Sequence, residues 1–168
     1  MITRKAIAHK LQERLERRTT ALDLTHWAKG LMYDYFQGLK GCELDARKLI
    51  EKAVLRISNS STNYRTFLFD TEIIKLLEQL GHPHNREYVS LYSFNLIVGD
   101  RPDQALNIVK NEVDSGHLLD SRQQRSSILI TAEGLNEAEI HKVANALREH
   151  TFVMSLRDTS KDIIKDSN

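Results

Sequence analysis

The chain has 168 residues, of which 40% are hydrophobic and 28% charged, and its formal net charge is +1. This is the make-up of one ordinary globular domain or of two small ones sharing a core; it excludes wholesale disorder and a chain that seeks polyanions over its whole surface. The longest apolar stretches, such as Phe94–Val98, fall far short of the roughly 20 residues of a membrane span, so no membrane partner is expected. The N-terminus lacks the apolar core of a secretory signal and the single cysteine, Cys42, suits a reducing compartment, so the expected location is cytoplasmic.

Ile7, Leu11 and Leu15 recur at helical spacing and predict an amphipathic helix over residues 3 to 18, capped by Thr3. Residues 1 to 20 carry a local excess of four positive charges, the main electrostatic asymmetry of the chain. Thr20 followed by Asp23 marks a second helix start, and Leu24, Trp27, Ala28, Leu31 and Tyr35 form its stripe as far as Phe36. Gly38 and Gly41 bracket a break, after which Ile50, Ala53, Val54 and Ile57 line a third helix ending in the polar run Ser58–Asn63. Asp70 or Thr71 is the expected cap of a fourth helix through Ile73, Leu77 and Leu80, with Gly81 as its stop.

Beyond His82-Pro83-His84 the pattern changes. β-Branched and aromatic residues from Tyr88 to Val98 predict a strand; Asp100 as cap and Pro102 in the first turn predict a helix that runs to Gly116. A polar loop follows, then a strand over Ser127–Thr131, a helix opened by Asn136 and a strand over Phe152–Leu156. The expected fold is therefore α+β: a helical subdomain at 1–82, a β-α-β-α-β layer at 83–160 and a polar tail at 161–168, the two halves being open to co-folding as one domain. Strands joined through helices are most simply parallel neighbours.

In such a layer the loops leaving the strands share one edge, where Asp100, Arg101, Glu133, Arg157 and Asp158 would converge as a ligand site; the plain alternative is a cap and solvated turn charges. Arg14, Arg17 and Arg18, near the end of the first helix, are candidates for phosphate contacts with nucleic acid, although arginines there also suit the helix dipole. Trp27 and Tyr35 are candidates to anchor a protein partner. His82 and His84 have ligand-like spacing but no cluster of acids or cysteines beside them, and Glu137 with His141, one helical turn apart, has the spacing of a surface pair. No zinc, phosphate-loop, dinucleotide or nucleophile-elbow signature occurs, so neither metal nor cofactor is expected and an enzymatic reading is disfavoured.

Ile7-Ala8-x-x-Leu11, Leu24-Thr25-His26-Trp27-Ala28 and Leu76-Leu77-Glu78-Gln79-Leu80-Gly81 resemble a small helical family of uncharacterised bacterial proteins, similar in size and style to contact-dependent-inhibition immunity proteins. The resemblance covers residues 1 to 81 and implies a non-enzymatic interaction protein, an immunity or regulatory partner that masks a target. A nucleic-acid-associated protein using the first helix, and a small-ligand binder or enzyme using the strand edge, are the alternatives.

Overall fold

The computed structural model describes residues 1–84 and 90–159. Six α-helices and a four-stranded sheet make up its regular structure among those residues, an α+β fold. They fall into two compact units, one built from Met1–Thr62 and the residues from Thr66 onward, the other from Asn63–Arg65 and the strand-bearing residues that follow.

The first unit holds four helices: α1 (Arg4–Leu15), α2 (Ala21–Phe36), α3 (Arg47–Ser58) and α4 (Asp70–Gln79). Ile7, Leu11 and Leu15 of α1 are fully buried, as their spacing requires, and Thr3 caps the helix by accepting a hydrogen bond from the Ala6 amide at 3.1 Å. Thr20 does the same for α2 through the Asp23 amide at 3.1 Å. The apolar stripe of α3 (Ile50, Ala53, Val54, Ile57) is buried, and α3 makes its most extensive packing with α2. The fourth helix differs from expectation at its start. Its N-cap is Phe69 without a side-chain hydrogen bond, and Asp70 is already helical. The carboxylate is drawn elsewhere: Arg17, which leaves α1 in the left-handed conformation at φ 60°, pairs with both Asp70 oxygens at 3.2 and 2.6 Å. Gly81, at φ 79°, follows α4 where only glycine takes that conformation without strain.

The second unit runs β1 (Tyr92–Val98), α5 (Pro102–Glu112), β2 (Leu118–Gln123), β3 (Ile128–Leu135), α6 (Glu137–Ala146) and β4 (Phe152–Asp158). The sheet order is β2-β3-β1-β4 and every neighbouring pair is antiparallel. This βαββαβ order is the split-βαβ, or ferredoxin-like, arrangement. It corrects the expected layer of parallel neighbours. The strand β2, embedded in what the sequence presents as a polar loop, turns back into β3 as a hairpin. As a result α5 connects strands of the same direction, β1 and β2, with β3 inserted between them; α6 likewise connects β3 and β4 across β1. Residues 88 and 89, expected in the first strand, and the tail from Ser160 lie outside the described residues.

Alternation along the strands produces two sheet faces. Phe94, Leu96, Val98, Ile130, Met154 and Leu156 are buried, whereas Asn95, Ile97 and Val153 are exposed. Ala105 and Val109 of α5 and Ile140 and Val143 of α6 are buried, with the two helices packed on each other. Asn136 opens α6 with a reciprocal capping box to Glu139, at 2.9 and 3.2 Å. At α5, by contrast, the N-cap is Arg101 in the left-handed region rather than Asp100, and no side-chain cap bond forms.

Candidate functional site

On the first unit, the C-terminal half of α2 and the exposed side of α3 border an open groove of about 1010 Å³. The residues that make it are the ones the helical stripes leave out. Phe36 ends α2 at 72% exposure, Leu44 precedes α3 at 84%, and Leu55 lies off the buried face of α3 at 49%. Large apolar side chains held in water this way are uneconomical unless something covers them. Met32 and Cys42 complete the apolar lining. Burial pushes the Cys42 thiol above its usual range, so it packs as a protonated, weakly polar group and not as a thiolate.

Around that lining stands a charged rim of Lys40, Arg47, Lys48, Glu51 and Lys52. Part of it is internally compensated. The Tyr35 hydroxyl donates to Glu51 Oε1 at 2.5 Å, Arg47 Nε donates to the same oxygen at 2.9 Å, and the Arg47 guanidinium lies 5.9 Å from the Tyr35 ring centre. The hydrogen bond from Tyr35, followed by that from Arg47, holds the Glu51 carboxyl below its ordinary range. The same bond raises Tyr35, keeping the phenol a donor. Lys40 is paired with Asp34 at 2.9 Å. Lys48 and Lys52, exposed and one turn apart on α3, have no carboxylate partner among the described residues.

Of the two residues proposed from sequence as partner anchors, Tyr35 lies in the groove. Trp27 is half-buried earlier on α2 and is not part of its lining. Sequence reasoning did not single out Leu44 and Leu55. For Leu55 the signal is an apolar side chain out of phase with the buried stripe of α3 and one turn from Lys52; Leu44 precedes α3 and carries no such signal.

The proposed nucleic-acid set does not form a surface. Arg14 is 3% exposed, and the Arg17 side chain, 4% exposed, is committed to Asp70 and to the Arg14 carbonyl at 3.0 Å. Arg18 remains half exposed, bound to Glu16 at 2.7 Å. The strand-edge set is also dispersed. Because Val98 pairs with Phe152 and Tyr92 with Asp158, Asp100 and Arg101 follow one end of β1 while Arg157 and Asp158 lie beside its other end. Glu133 belongs to that second end, since Ala132 pairs with Phe94 and Leu135 with Tyr92. Antiparallel pairing therefore separates what parallel pairing would have gathered. Arg101 instead binds its neighbour Asp100, at 3.3 and 3.2 Å, and the Glu149 carbonyl at 2.6 Å; the guanidinium is the main reason the Asp100 carboxyl sits below its usual range.

The second unit also contains a relay of three side chains. The Tyr64 hydroxyl lies 2.8 Å from His141 Nδ1, and His141 Nε2 lies 3.1 Å from Glu137. Burial raises Tyr64, with the Glu137 charge adding to it, so the phenol stays protonated beside His141 Nδ1. The backbone around Tyr64 is tied down as well: its amide donates to the Met154 carbonyl at 2.9 Å and Asn63 bridges to Ser155. The relay fixes residues 63–65 against α6 and β4. Nearby, His150 is 8% exposed and neither ring nitrogen has a hydrogen-bond partner among the described residues. Among the described residues no group of three or more potential metal ligands occurs, and no helix is long and apolar enough to cross a membrane.

No family model, curated protein or solved structure matches the chain.

Proposed function

We propose that this chain is a protein-interaction protein that engages its partner through the groove between α2 and α3. The observation that carries the reading is the concentration of exposed Phe36, Leu44 and Leu55 in one concave surface. A concave apolar centre inside a polar rim is the anatomy of an interface, with aromatic side chains as the usual anchors. The groove lies within residues 1–81, whose resemblance to immunity proteins adds the role of masking a bacterial target protein. The compensated Tyr35–Glu51–Arg47 cluster supports the reading, because it supplies a rigid wall whose polar groups are already satisfied.

The test compares wild type with Phe36→Glu and Leu44→Lys. Both positions are exposed, so stability should stay within about 0.5 kcal/mol of wild type. A protein captured by the wild-type chain, then purified and titrated, should bind Phe36→Glu more weakly by about 2 kcal/mol or more. An unchanged affinity in both variants, or loss of the partner on substituting Ile97 of the sheet instead, would place the interface elsewhere.

A further inference from the structure

The groove also specifies the kind of segment that fills it. Resting on the interaction reading above, we infer that the occupant is an amphipathic helix of the partner protein with acidic residues one turn apart beside its apolar face. Three features lead there. The groove is open to solvent and bordered by residues of two helices, so it suits a row of side chains rather than an enclosed ligand; its volume, about 1010 Å³, sits at the upper end of the range for enclosed small-ligand pockets. Phe36, Leu44 and Leu55 offer apolar contacts to residues recurring at positions i, i+3 or i+4, and i+7 of such a helix.

The third feature is charge. Glu51 is the single acid of the rim and is held by Tyr35 and Arg47; Lys40 is held by Asp34. Among the described residues, Lys48 and Lys52, two ammonium groups one helical turn apart, have no carboxylate partner. They match two carboxylates at i and i+4 on a helix lying alongside α3, and oppose a basic helix of otherwise identical shape. Steering by like and unlike charge sets the choice of partner more than it adds affinity, so discrimination is the quantity to measure.

The experiment uses the full chain and two designed helical peptides sharing one Leu-rich apolar face, one with flanking Glu at i and i+4, the other with Lys at the same places. Binding is followed by amide chemical shifts and by titration at low and high salt. The Glu peptide should bind at least tenfold tighter than the Lys peptide, shift amides of α2 and α3, and lose that advantage in high salt. In the double variant Lys48→Glu with Lys52→Glu the preference should invert. Equal binding of both peptides, at the groove, would overturn the acidic partner while leaving the interaction reading intact. Failure of both peptides to shift groove amides would overturn the helical occupant, and an identified partner whose binding is insensitive to Phe36→Glu would overturn the reading beneath it.

Discussion

Severing the Arg17–Asp70 pair should cost the first unit several kcal/mol. The side chains are 4% and 5% exposed, and the guanidinium meets the carboxylate through two bonds at 3.2 and 2.6 Å, joining the end of α1 to the start of α4. Removing one member takes from the other, still buried, the opposite charge it meets at these distances, a loss of about 3–5 kcal/mol, whereas an exposed pair is worth about 0–1 kcal/mol. Asp70→Leu should show the larger effect, since it removes both carboxylate oxygens that the Arg17 guanidinium binds. Arg17→Met leaves a carboxylate at the N-terminus of α4, where the helix dipole partly compensates it. The double variant should recover part of the loss, because two apolar side chains replace the two buried charges together. Trp27, the chain's single tryptophan, lies on α2 and reports unfolding of this unit by fluorescence in urea. With a urea m-value of about 1–3 kcal/mol/M, Asp70→Leu should lower the midpoint by about 1–5 M. A loss under about 1 kcal/mol in both single variants, or a double variant as unstable as the two losses summed, would refute the argument that burial makes the pair strong.

Glu43 accepts from the Arg4 amide at 3.0 Å and from the Arg4 guanidinium, chiefly the latter, and its carboxyl is held below its ordinary range. A depressed carboxyl stabilises the folded form at neutral pH, and that contribution is lost as pH falls through the carboxylate range, from about pH 5 downward. Glu43→Gln should therefore be less stable than wild type at pH 7 and converge on it at pH 3.5, as measured by urea titration. His150→Leu should leave the second unit as stable or raise it by about 1 kcal/mol, since it removes two buried nitrogens that have no partner among the described residues; thermal melts followed by circular dichroism will register the sign. Gly134→Ala should cost about 1–2 kcal/mol for its left-handed backbone at φ 78°, and more because the added methyl meets His117 Nδ1 at 3.1 Å. Amide exchange along β3 should then accelerate.

The helices of the first unit were legible because each has one apolar stripe and a clear start or stop, as with Thr3, Thr20 and Gly81. The sheet was legible only in part. Tyr92–Val98, Ile128–Leu135 and Phe152–Asp158 announce themselves through apolar alternation, whereas Leu118–Gln123 is an edge strand whose side chains are almost all solvated, so its sequence carries little of that signal. Missing one strand reversed the inferred direction of its neighbours and assembled a ligand edge from residues the sheet keeps apart. The arginines of the first helix misled for another reason. A basic run is read as solvated, and nothing local discloses that Arg17 finds its carboxylate 53 residues away. Of the two residues named as partner anchors, Tyr35 lines the groove and Trp27 does not, while Leu44 and Leu55, which also line it, fall outside any helical stripe.

Residues 63–65 belong to the strand-bearing unit although the chain on both sides of them belongs to the helical one. The two units are thus interleaved along the gene, and neither is a continuous stretch of it. A fragment cut out near residue 83 would leave the strand-bearing unit without the Asn63 bridge to Ser155 and without the tyrosine that holds His141. Its β4 edge would be bare and open to pairing with another copy of itself. Genetic shuffling faces the same obstacle: this ferredoxin-like unit cannot travel as a cassette, because a small part of it is encoded inside its neighbour.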